Sequence, residues 1–387
     1  MKDIISHKVQ NMQPSGIRAF FDLVLGMKDV ISLGVGEPDF ATPWSIRETG
    51  IFSLENGYTT YTSNKGLYKL RLQISRFLKN HYKLEYDPEE EILITVGVSE
   101  GLDLAARALL NPQDKVIIPQ PSYVSYGPVV SLCGGIPKYI YTKQSNGFKV
   151  TSELLKAAID KKTKAVVLNY PSNPTGASYT KKELEALKKV ILQNNLICIS
   201  DEIYDDLTYD FSHTPFAVLP GAKKNTVYLN GFSKGYAMTG WRIAYACGPR
   251  QIIAAMTKIH QYTMLCAPTV SQFAACEALQ SGRRALEHMK KEYKRRRDFV
   301  VDGLNNLGLS CLKPDGAFYA FASVKDTGMT SLDFAKKLLD KEKVAVVPGT
   351  AFGKNGNEFI RISYACDIEK LKEALSRVGS FISSAKK

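Results

Sequence analysis

Short apolar runs alternate with longer amphipathic segments through the middle of the chain. The apolar runs are predicted to be buried strands, and they are EILITV (91–96), KVIIP (115–119), KAVVLNY (164–170), NLICIS (195–200), TVYLNG (226–231) and RIAYACG (242–248). Segments with a helical spacing of apolar residues lie between several of them, at 101–110, 152–160 and 181–194. This alternation predicts a mostly parallel sheet that helices cover on both faces.

The pattern changes after about residue 285. A long helix is predicted first, and it is followed by the shorter strands GAFYAFASV, VAVVPG and EFIRISYA and by the helix SLDFAKKLLDKE. At 387 residues the chain is longer than one hydrophobic core usually allows. We therefore predict a large α/β domain and a smaller α+β domain.

The chain carries an excess of positive charge, with a formal net charge of +13 at pH 7. The densest basic run, from Lys290 to Arg297, lies in the predicted long helix. The apolar stripe of that helix consists of Leu286, Met289, Tyr293, Phe299, Val300 and Leu304. We interpret the basic run as a solvent-exposed helix face and predict no nucleic-acid partner. The positive field still favours anionic ligands, such as phosphorylated cofactors or keto acids.

Cysteine usage and hydropathy indicate the compartment. The seven cysteines form no CxxC pair and leave one over, which argues against a disulfide framework and against a zinc site. The N-terminus lacks the apolar block of a signal peptide, and no stretch of 18 apolar residues occurs. We expect a cytoplasmic protein that has no metal site and no membrane partner.

The residues that follow the predicted strands are the candidates for function, because ligands of open α/β sheets bind beyond the carboxyl ends of the strands. Five such segments occur, at 97–101, 119–126, 171–176, 201–204 and 231–235. Their side chains decide between the possible chemistries.

The first of these turns, GVSEG (97–101), permits two functions. It matches the G-x-S-x-G elbow of serine hydrolases, whose triad would need Ser99, an acid such as Asp201, and His213 or His260. However, none of the five histidines stands in a suggestive motif, and no HGGG-type segment precedes Ser99. The alternative is a phosphate site made by N–H groups at the helix N-terminus and the Ser99 hydroxyl. The spacing alone leaves both functions open.

Other strand ends favour a cofactor. Asp201 follows an apolar strand, and a buried carboxylate needs a cationic partner such as a protonated pyridine nitrogen. Tyr204 is near enough to present its hydroxyl to the same ligand. Lys234 follows the strand TVYLNG, where a dry, electropositive site would make its amine nucleophilic, and Arg242 has the guanidinium fork that suits a phosphate. Each signal alone is weak, since most such residues are caps or surface charges.

In combination these segments resemble fold-type I enzymes that depend on pyridoxal 5′-phosphate (PLP), specifically class I aminotransferases. The resemblance covers nearly the whole chain, and it is carried by VISLGVGEPDF (30–40), YTSNKGLYKLR, TVGVSEGL, PSYVSY, YPSNPTGA, SDEIYDDLTYD, NGFSKGYAMTGWRIAYACGP, GAFYAF, VAVVPGTAFG and FIRISYA. It implies a mostly parallel seven-stranded sheet flanked by helices. The implied large, PLP-binding domain is 46–285, and the implied small domain is 1–45 plus 286–387.

The resemblance also implies how the cofactor ring is held. Lys234 would carry PLP as a Schiff base, and Asp201 would pair with the pyridine nitrogen. Asn173 and Tyr204 would hydrogen-bond the phenolic oxygen, and Tyr123 would lie against the ring face. Lys234, Asp201 and Tyr204 are the implied catalytic residues.

The phosphate and the substrate have their own implied residues. Those at the phosphate are Val98, Ser99, Ser233, Arg242 and, from the neighbouring subunit, Tyr61. Arg361 would clamp the substrate α-carboxylate, with Gly36 and Asn173 beside it. Gly231 departs from the pattern, because many relatives have a hydroxyl residue three positions before the lysine. One phosphate contact is therefore expected to be weaker or replaced.

The implied function is ping-pong transfer of an amino group from an L-amino acid to a 2-oxo acid such as 2-oxoglutarate, by a homodimer with shared active sites. The subgroup that it resembles contains aromatic, aspartate and diaminopimelate-pathway aminotransferases. Tyr123, Tyr126 and Phe318 are expected to form an aromatic pocket, which favours Phe, Tyr and Trp as donors. The alternatives are an aspartate or diaminopimelate-pathway aminotransferase, a PLP-dependent β-lyase, and a serine hydrolase that uses Ser99.

Overall fold

The computed structural model describes residues 4–10, 12–14, 16–17 and 27–385. Its helices are α1 (His7–Gln10), α2 (Trp44–Glu55), α3 (Tyr68–Tyr82), α4 (Gly97–Leu109), α5 (Tyr126–Leu132), α6 (Ser152–Ala158), α7 (Lys181–Gln193), α8 (Arg250–Thr263), α9 (Thr269–Ser281), α10 (Arg283–Asn306), α11 (Ser331–Glu342) and α12 (Ile368–Ala385). Its strands are β1 (Ile31–Ser32), β2 (Ile92–Thr95), β3 (Lys115–Gln120), β4 (Ile136–Tyr141), β5 (Thr163–Asn169), β6 (Ile197–Asp201), β7 (Thr226–Gly231), β8 (Ala244–Cys247), β9 (Tyr319–Ser323), β10 (Val344–Ala345), β11 (Val347–Pro348) and β12 (Phe359–Ser363).

Seven strands form the central sheet, in the order β2-β8-β7-β6-β5-β3-β4. The neighbours from β7 to β4 are parallel, whereas β8 is antiparallel to both β7 and β2. Apolar side chains of the strands pack against different helices on the two faces, which is why the strands are near-continuous hydrophobic runs. The predicted mostly parallel, seven-stranded sheet is confirmed.

The strand order reverses beside β3, and this reversal places the ligand crevice. The chain puts β4 on one side of β3, and it puts β5, β6 and β7 on the other. In a parallel sheet such a reversal opens a crevice beyond the carboxyl ends of the strands. Asn169, the last residue of β5, pairs in register with Asp201, the last residue of β6. The polar residues that end these strands therefore meet at one edge.

A second, antiparallel sheet contains β11, β12 and β9 in that order, and β1 pairs with β10 in parallel. Together with the last three helices these strands form the predicted smaller α+β part. Its hydrophobic core also takes in Ile203, Tyr204 and Leu207, which follow β6 of the central sheet. Helix α10 runs across position 285, so the large domain 46–285 and the small domain 1–45 plus 286–387 stay a prediction.

The basic run of α10 is only partly solvent-exposed. Arg296 and Arg297 are buried, so the interpretation of the whole run as a solvated face is wrong for these two residues. Arg296 and Arg297 lie three or four positions from both Tyr293 and Val300. Residues at this spacing share one face of a helix, so both arginines lie on the buried face of α10. Arg296 Nη1 donates to both carboxylate oxygens of Asp39, at 2.8 Å each.

Arg297 is fully buried and links α10 to two loops. Its Nη1 donates to Asp210 at 2.7 Å and to the carbonyl oxygen of Pro314 at 2.9 Å, and its Nη2 donates to Asp298 at 2.8 Å. Such charge-assisted bonds satisfy a guanidinium that would otherwise be costly to bury.

No described helix combines the length and the hydropathy that a membrane span requires.

We expect Arg297→Met to lower the free energy of unfolding by about 2 kcal/mol, because the Pro314 carbonyl loses its donor and the charge-assisted bonds are lost. The matched control is Arg295→Met, since the Arg295 side chain is 60% exposed and its salt bridge within the described residues is with Glu292. That variant should change the free energy by less than about 0.5 kcal/mol. Equilibrium urea unfolding measures both, and equal losses would contradict the structural role given to Arg297.

Candidate active site

A cavity of about 810 Å³ lies at the edge where the parallel strands end. It brings together all but one of the predicted site residues, and those in its wall are Gly36, Val98, Ser99, Tyr123, Asn173, Asp201, Tyr204, Ser233, Lys234, Arg242 and Arg361. Tyr61 lies apart from this cavity on the surface of the chain, where 80% of its area is exposed.

The amine of Lys234 lies in the cavity wall and donates a 2.7 Å hydrogen bond to the carbonyl oxygen of Gly36. Burial lowers the pKa of this amine to about 8; Glu37 opposes that shift, whereas Arg361 adds to it. The neutral amine is the nucleophilic form of a lysine. Lys234 is thus prepared for nucleophilic chemistry close to neutral pH.

Asp201 ends β6 and presents a buried carboxylate to the same cavity. Tyr126 donates its hydroxyl to Oδ2 at 2.7 Å, and the N–H of Ile203 donates to Oδ1 at 3.3 Å. Burial raises the pKa of Asp201 to about 6, although both hydrogen bonds oppose this. These two partners are uncharged, so a bound cation would stabilise the ionised form further.

Arg361 comes from β12 and is held in place by hydrogen bonds to the protein itself. Its Nη1 donates to Asn173 Oδ1 at 2.9 Å, and its Nη2 donates to the carbonyl oxygen of Gly34 at 2.5 Å. The guanidinium lies 4.5 Å from the ring centre of Tyr319 and 4.8 Å from that of Phe352. Within the described residues its Nε has no partner. This cation is therefore oriented for a carboxylate.

Tyr319 is a site residue that the sequence pattern did not indicate. Its hydroxyl lies 2.8 Å from the hydroxyl of Tyr204, and its ring lines the cavity. Phe318, expected in the aromatic pocket, is instead fully buried behind the Tyr204 ring, so that expectation is wrong. In β9 and β12 Arg361 pairs with Phe321, and side chains two apart on a strand share a face. Residue 319, two positions before Phe321, therefore shares the face of Arg361, and knowledge of this strand register would have indicated it.

Donors for an anion collect at the other end of the cavity. Helix α4 begins there at Gly97, and Val98, Ser99 and Ser233 line the wall beside Arg242. Gly97 has φ of +75°, and a Cβ at this position would overlap the Arg242 guanidinium. Glycine at 97 thus allows Arg242 to approach the turn closely. A helix N-terminus, two hydroxyls and a guanidinium are the groups that bind phosphate.

The alternative triad of a serine hydrolase is not assembled. His260 hydrogen-bonds Glu100 and His213 hydrogen-bonds Glu202, each at 2.6 Å. In the described part of the chain neither histidine contacts Ser99 by a hydrogen bond. The GVSEG turn therefore serves the anion end of the cavity and lacks the base that a nucleophilic serine needs.

Comparisons with known proteins agree with this geometry. The sequence model of the family described as "Aminotransferase class I and II" matches residues 28–378. The chain belongs to this family. It is 53% identical to the putative aminotransferase YugH of Bacillus subtilis, over 99% of both chains. It is 45% identical to an aspartate aminotransferase of Pyrococcus abyssi, over 97% of both chains.

Solved structures show the same fold. A crystal structure of an aromatic aminotransferase from Pyrococcus horikoshii OT3 superposes with a TM-score of 0.91 and 42% sequence identity, and the match covers 96% of this chain and 99% of that one. The protein is therefore a transaminase with the fold of PLP-dependent aminotransferases, and its cofactor is PLP. The expectations on family, fold, enzyme class and cofactor are confirmed.

The residues of this aminotransferase fit PLP at each of its functional groups. Asp201 is a buried carboxylate whose pKa burial raises, and it would hold a protonated ring nitrogen. Tyr123 offers an aromatic face and Arg242 a cation. The amine of Lys234 lies in the same wall, where it can reach an aldehyde. The donor set therefore suits this cofactor.

We expect the cofactor-free aminotransferase to combine covalently with added PLP at a rate that rises with pH and levels off above about pH 8. The reason is the lowered pKa of Lys234, whose amine is protonated and unreactive below about 8 and free above it. Stopped-flow absorbance measures this rate. A rate that still climbs steeply towards pH 10, as for an ordinary lysine, would contradict the burial of the amine.

Proposed function

We propose that this aminotransferase moves the amino group of an aromatic L-amino acid to a 2-oxo acid such as 2-oxoglutarate by a ping-pong mechanism. The observation that carries the proposal is the common cavity of Lys234, Asp201 and Arg361, which offers a reactive amine, a buried carboxylate and an oriented cation. The first two of these groups would act on the cofactor, and the third would bind the carboxylate of the substrate.

The roles of the residues follow from this arrangement. When bound, PLP supplies an aldehyde that receives the amino group and a ring that accepts the electron pair left at the α-carbon. Asp201 keeps the proton on the ring nitrogen, and Asn173 and Tyr204 hold the phenolic oxygen. Lys234 Nζ would take the proton from the α-carbon and deliver it to the former aldehyde carbon of the cofactor, on the other side of the amino nitrogen. Arg361 binds the α-carboxylate and so sets the α-proton towards Lys234.

The phosphate contacts are assigned to the anion end of the cavity. The phosphate would be held by the backbone N–H groups of Val98 and Ser99, the hydroxyls of Ser99 and Ser233, and the guanidinium of Arg242.

Gly36 leaves space for the substrate. Its carbonyl oxygen accepts a hydrogen bond from Lys234, and a Cβ at this position would collide with the Tyr319 hydroxyl. A side chain at position 36 would therefore displace one of these groups.

An aromatic donor is favoured by three tyrosine rings in the wall, of which Tyr123 is also assigned to the face of the cofactor ring and Tyr126 also holds Asp201. Tyr123 and Tyr126 line the cavity with their rings 5.7 Å apart and edge to face, and Tyr319 adds a third ring. The described cations in the wall are Lys234, Arg242 and Arg361, and each already has a role. None of these is left to bind the second carboxylate of a dicarboxylic substrate.

A homodimer with shared sites is supported by exposed apolar side chains on three segments, which are Trp44, Ile51, Phe52 and Leu54 of α2, Tyr58, Tyr61 and Tyr68 of the segment 58–68, and Tyr262 and Met264 at the end of α8. Exposed large apolar side chains often mark an interface when they adjoin one another. Helix α9 contacts both α2 and α3, and its Thr269 donates to the Thr60 carbonyl, beside Tyr61, at 2.8 Å. A second copy that covered these side chains would bring Tyr61 to its partner's phosphate site.

A cytoplasmic location is supported by the cysteines. All seven lie in the described part of the chain, and none forms a disulfide. Unpaired thiols persist in reducing compartments.

The function is tested by a panel of amino donors with 2-oxoglutarate as acceptor. We expect purified protein to be coloured by PLP and to use Phe, Tyr and Trp with higher kcat/KM than Asp. Lys234→Ala should lower kcat by at least about 10³-fold, because the nucleophile and the base are lost together. A variant that kept most of its rate would remove Lys234 from the mechanism, and a preference for Asp would refute the aromatic donor.

The shared site is tested by mixing two inactive variants, Lys234→Ala and Tyr61→Ala, under conditions that exchange subunits. A mixed dimer has one site with both defects and one intact site, so about a quarter of all sites should regain activity after random exchange. Each variant mixed with itself is the control. No recovery, although sedimentation shows mixed dimers, would contradict the role of Tyr61.

A further inference from the structure

A buried acid–base pair lies behind the turn at the anion end of the cavity. His260, fully buried in the last turn of α8, donates Nδ1–H to Glu100 Oε1 at 2.6 Å. Glu100 lies in the first turn of α4 and is 9% exposed, and it is not part of the cavity wall. Neither residue has a part in the chemistry proposed above.

The second oxygen of Glu100 closes the turn from the inside. Its Oε2 accepts the backbone N–H of Val96 at 2.5 Å, the residue just before α4 begins. This contact is similar to the glutamate half of a capping box but comes from the fourth helical residue instead of the third, and it fixes how the chain enters the helix. Thr95 adds a 3.1 Å hydrogen bond to the carbonyl oxygen of Gly97. Side chains thus hold the backbone from Thr95 to Glu100 at two points.

The opposite side of this turn faces the cavity. Val98 and Ser99 line the wall, and the Arg242 guanidinium packs against Gly97. The N–H groups of a turn point at a ligand only if the backbone keeps its conformation, because they cannot reorient independently as side chains do. The grip of Glu100 on Val96 therefore bears directly on the direction of the donors at Val98 and Ser99.

The negative charge of Glu100 explains why a histidine side chain is buried against it. An uncompensated carboxylate one helical turn from an anion site would repel a phosphate, and it would itself be costly to bury. The hydrogen bond from His260 offsets both effects. The other ring nitrogen, Nε2, is buried without a partner among the described residues, so the bond to Glu100 is the one polar contact of this ring that they contain.

We propose that Glu100 and His260 are positioning residues that hold the turn from Val96 to Ser99 in the conformation that receives the phosphate of PLP. The proposal deepens the function proposed above, since it rests on the phosphate contacts assigned to Val98, Ser99 and Arg242. It adds two residues that act through the backbone and touch neither cofactor nor substrate.

The test compares PLP with pyridoxal, which lacks the phosphate. The dissociation constants of both are measured on the cofactor-free full-length chain. The ratio of the dissociation constant of pyridoxal to that of PLP then reports the phosphate contacts alone. We expect His260→Leu to weaken PLP binding about tenfold and pyridoxal binding less than about threefold, which corresponds to one lost charge-assisted interaction. Equal weakening of both ligands would overturn the proposal, because it would indicate general loss of structure.

A second substitution separates charge from geometry. Glutamine at 100 carries no charge and can still accept the Val96 N–H, so Glu100→Gln in the His260→Leu background should recover most of the ratio. Glu100→Ala, which removes the acceptor, should lower the ratio about tenfold, whereas Glu100→Gln alone should keep it within about threefold. If His260→Leu does not fold, the contrast of alanine with glutamine at 100 carries the same test. A double variant no better than His260→Leu, or equal ratios for alanine and glutamine, would refute the proposal.

Two controls complete the design. His213→Leu breaks a similar buried pair, His213 with Glu202 at 2.6 Å, away from the turn, and it should leave the ratio unchanged. A changed ratio there would overturn the proposal. Arg242→Gln must lower the ratio if the assigned phosphate site is right. An unchanged ratio for Arg242→Gln would refute that site, whereas a lowered ratio there with no effect of His260→Leu would refute the positioning role alone.

Discussion

Burial of ionisable groups at one edge of the central sheet is the constraint on which the site depends. Burial raises the pKa of Asp201 to about 6 and lowers that of Lys234 to about 8, so the charged form of each is disfavoured before a ligand binds. Such groups gain most from a partner of opposite charge, because water does not screen the interaction. A cofactor with a cationic ring nitrogen supplies that partner to Asp201. Because the fold removes Asp201 from water, its carboxylate binds a cationic ring nitrogen more strongly than an exposed carboxylate would.

The site also joins two sheets that have separate topologies. Asn173, Asp201 and Lys234 follow parallel strands of the central sheet, whereas Arg361 and Tyr319 lie on the antiparallel one. Two hydrogen bonds connect them, from Arg361 to Asn173 at 2.9 Å and between the Tyr319 and Tyr204 hydroxyls at 2.8 Å. Hydrogen bonds in a low dielectric polarise one another. A carboxylate bound to Arg361 would therefore change the polarisation of Asn173, one of the two residues proposed to hold the phenolic oxygen.

Periodicity was sufficient to predict the parallel sheet, since each buried strand is a continuous apolar run, and strand ends then located Asp201 and Lys234. Periodicity was insufficient for elements with one face in the core or the cavity and the other elsewhere. Arg297 belongs to a basic run yet faces inward, because two acceptors outside its helix, Asp210 and the carbonyl of Pro314, satisfy it together with the neighbouring Asp298. Only the fold brings the first two to it. Tyr319 was missed for a related reason, since the face of a strand depends on its register with a partner strand. Roles such as that of Arg361 came from the resemblance to a family.

Gly231 shows why the phosphate end must depend on backbone geometry. The sequence indicated a missing hydroxyl there, and the structure gives a steric reason: Gly231 pairs with Ala244 across β7 and β8, and a Cβ at 231 would overlap Ala244. A hydroxyl side chain at 231 would require these strands to separate. The anion end is thereby left with Arg242, nearby hydroxyls and the N–H groups of the GVSEG turn. Because those N–H groups cannot reorient, their direction is set by whatever holds the turn from behind.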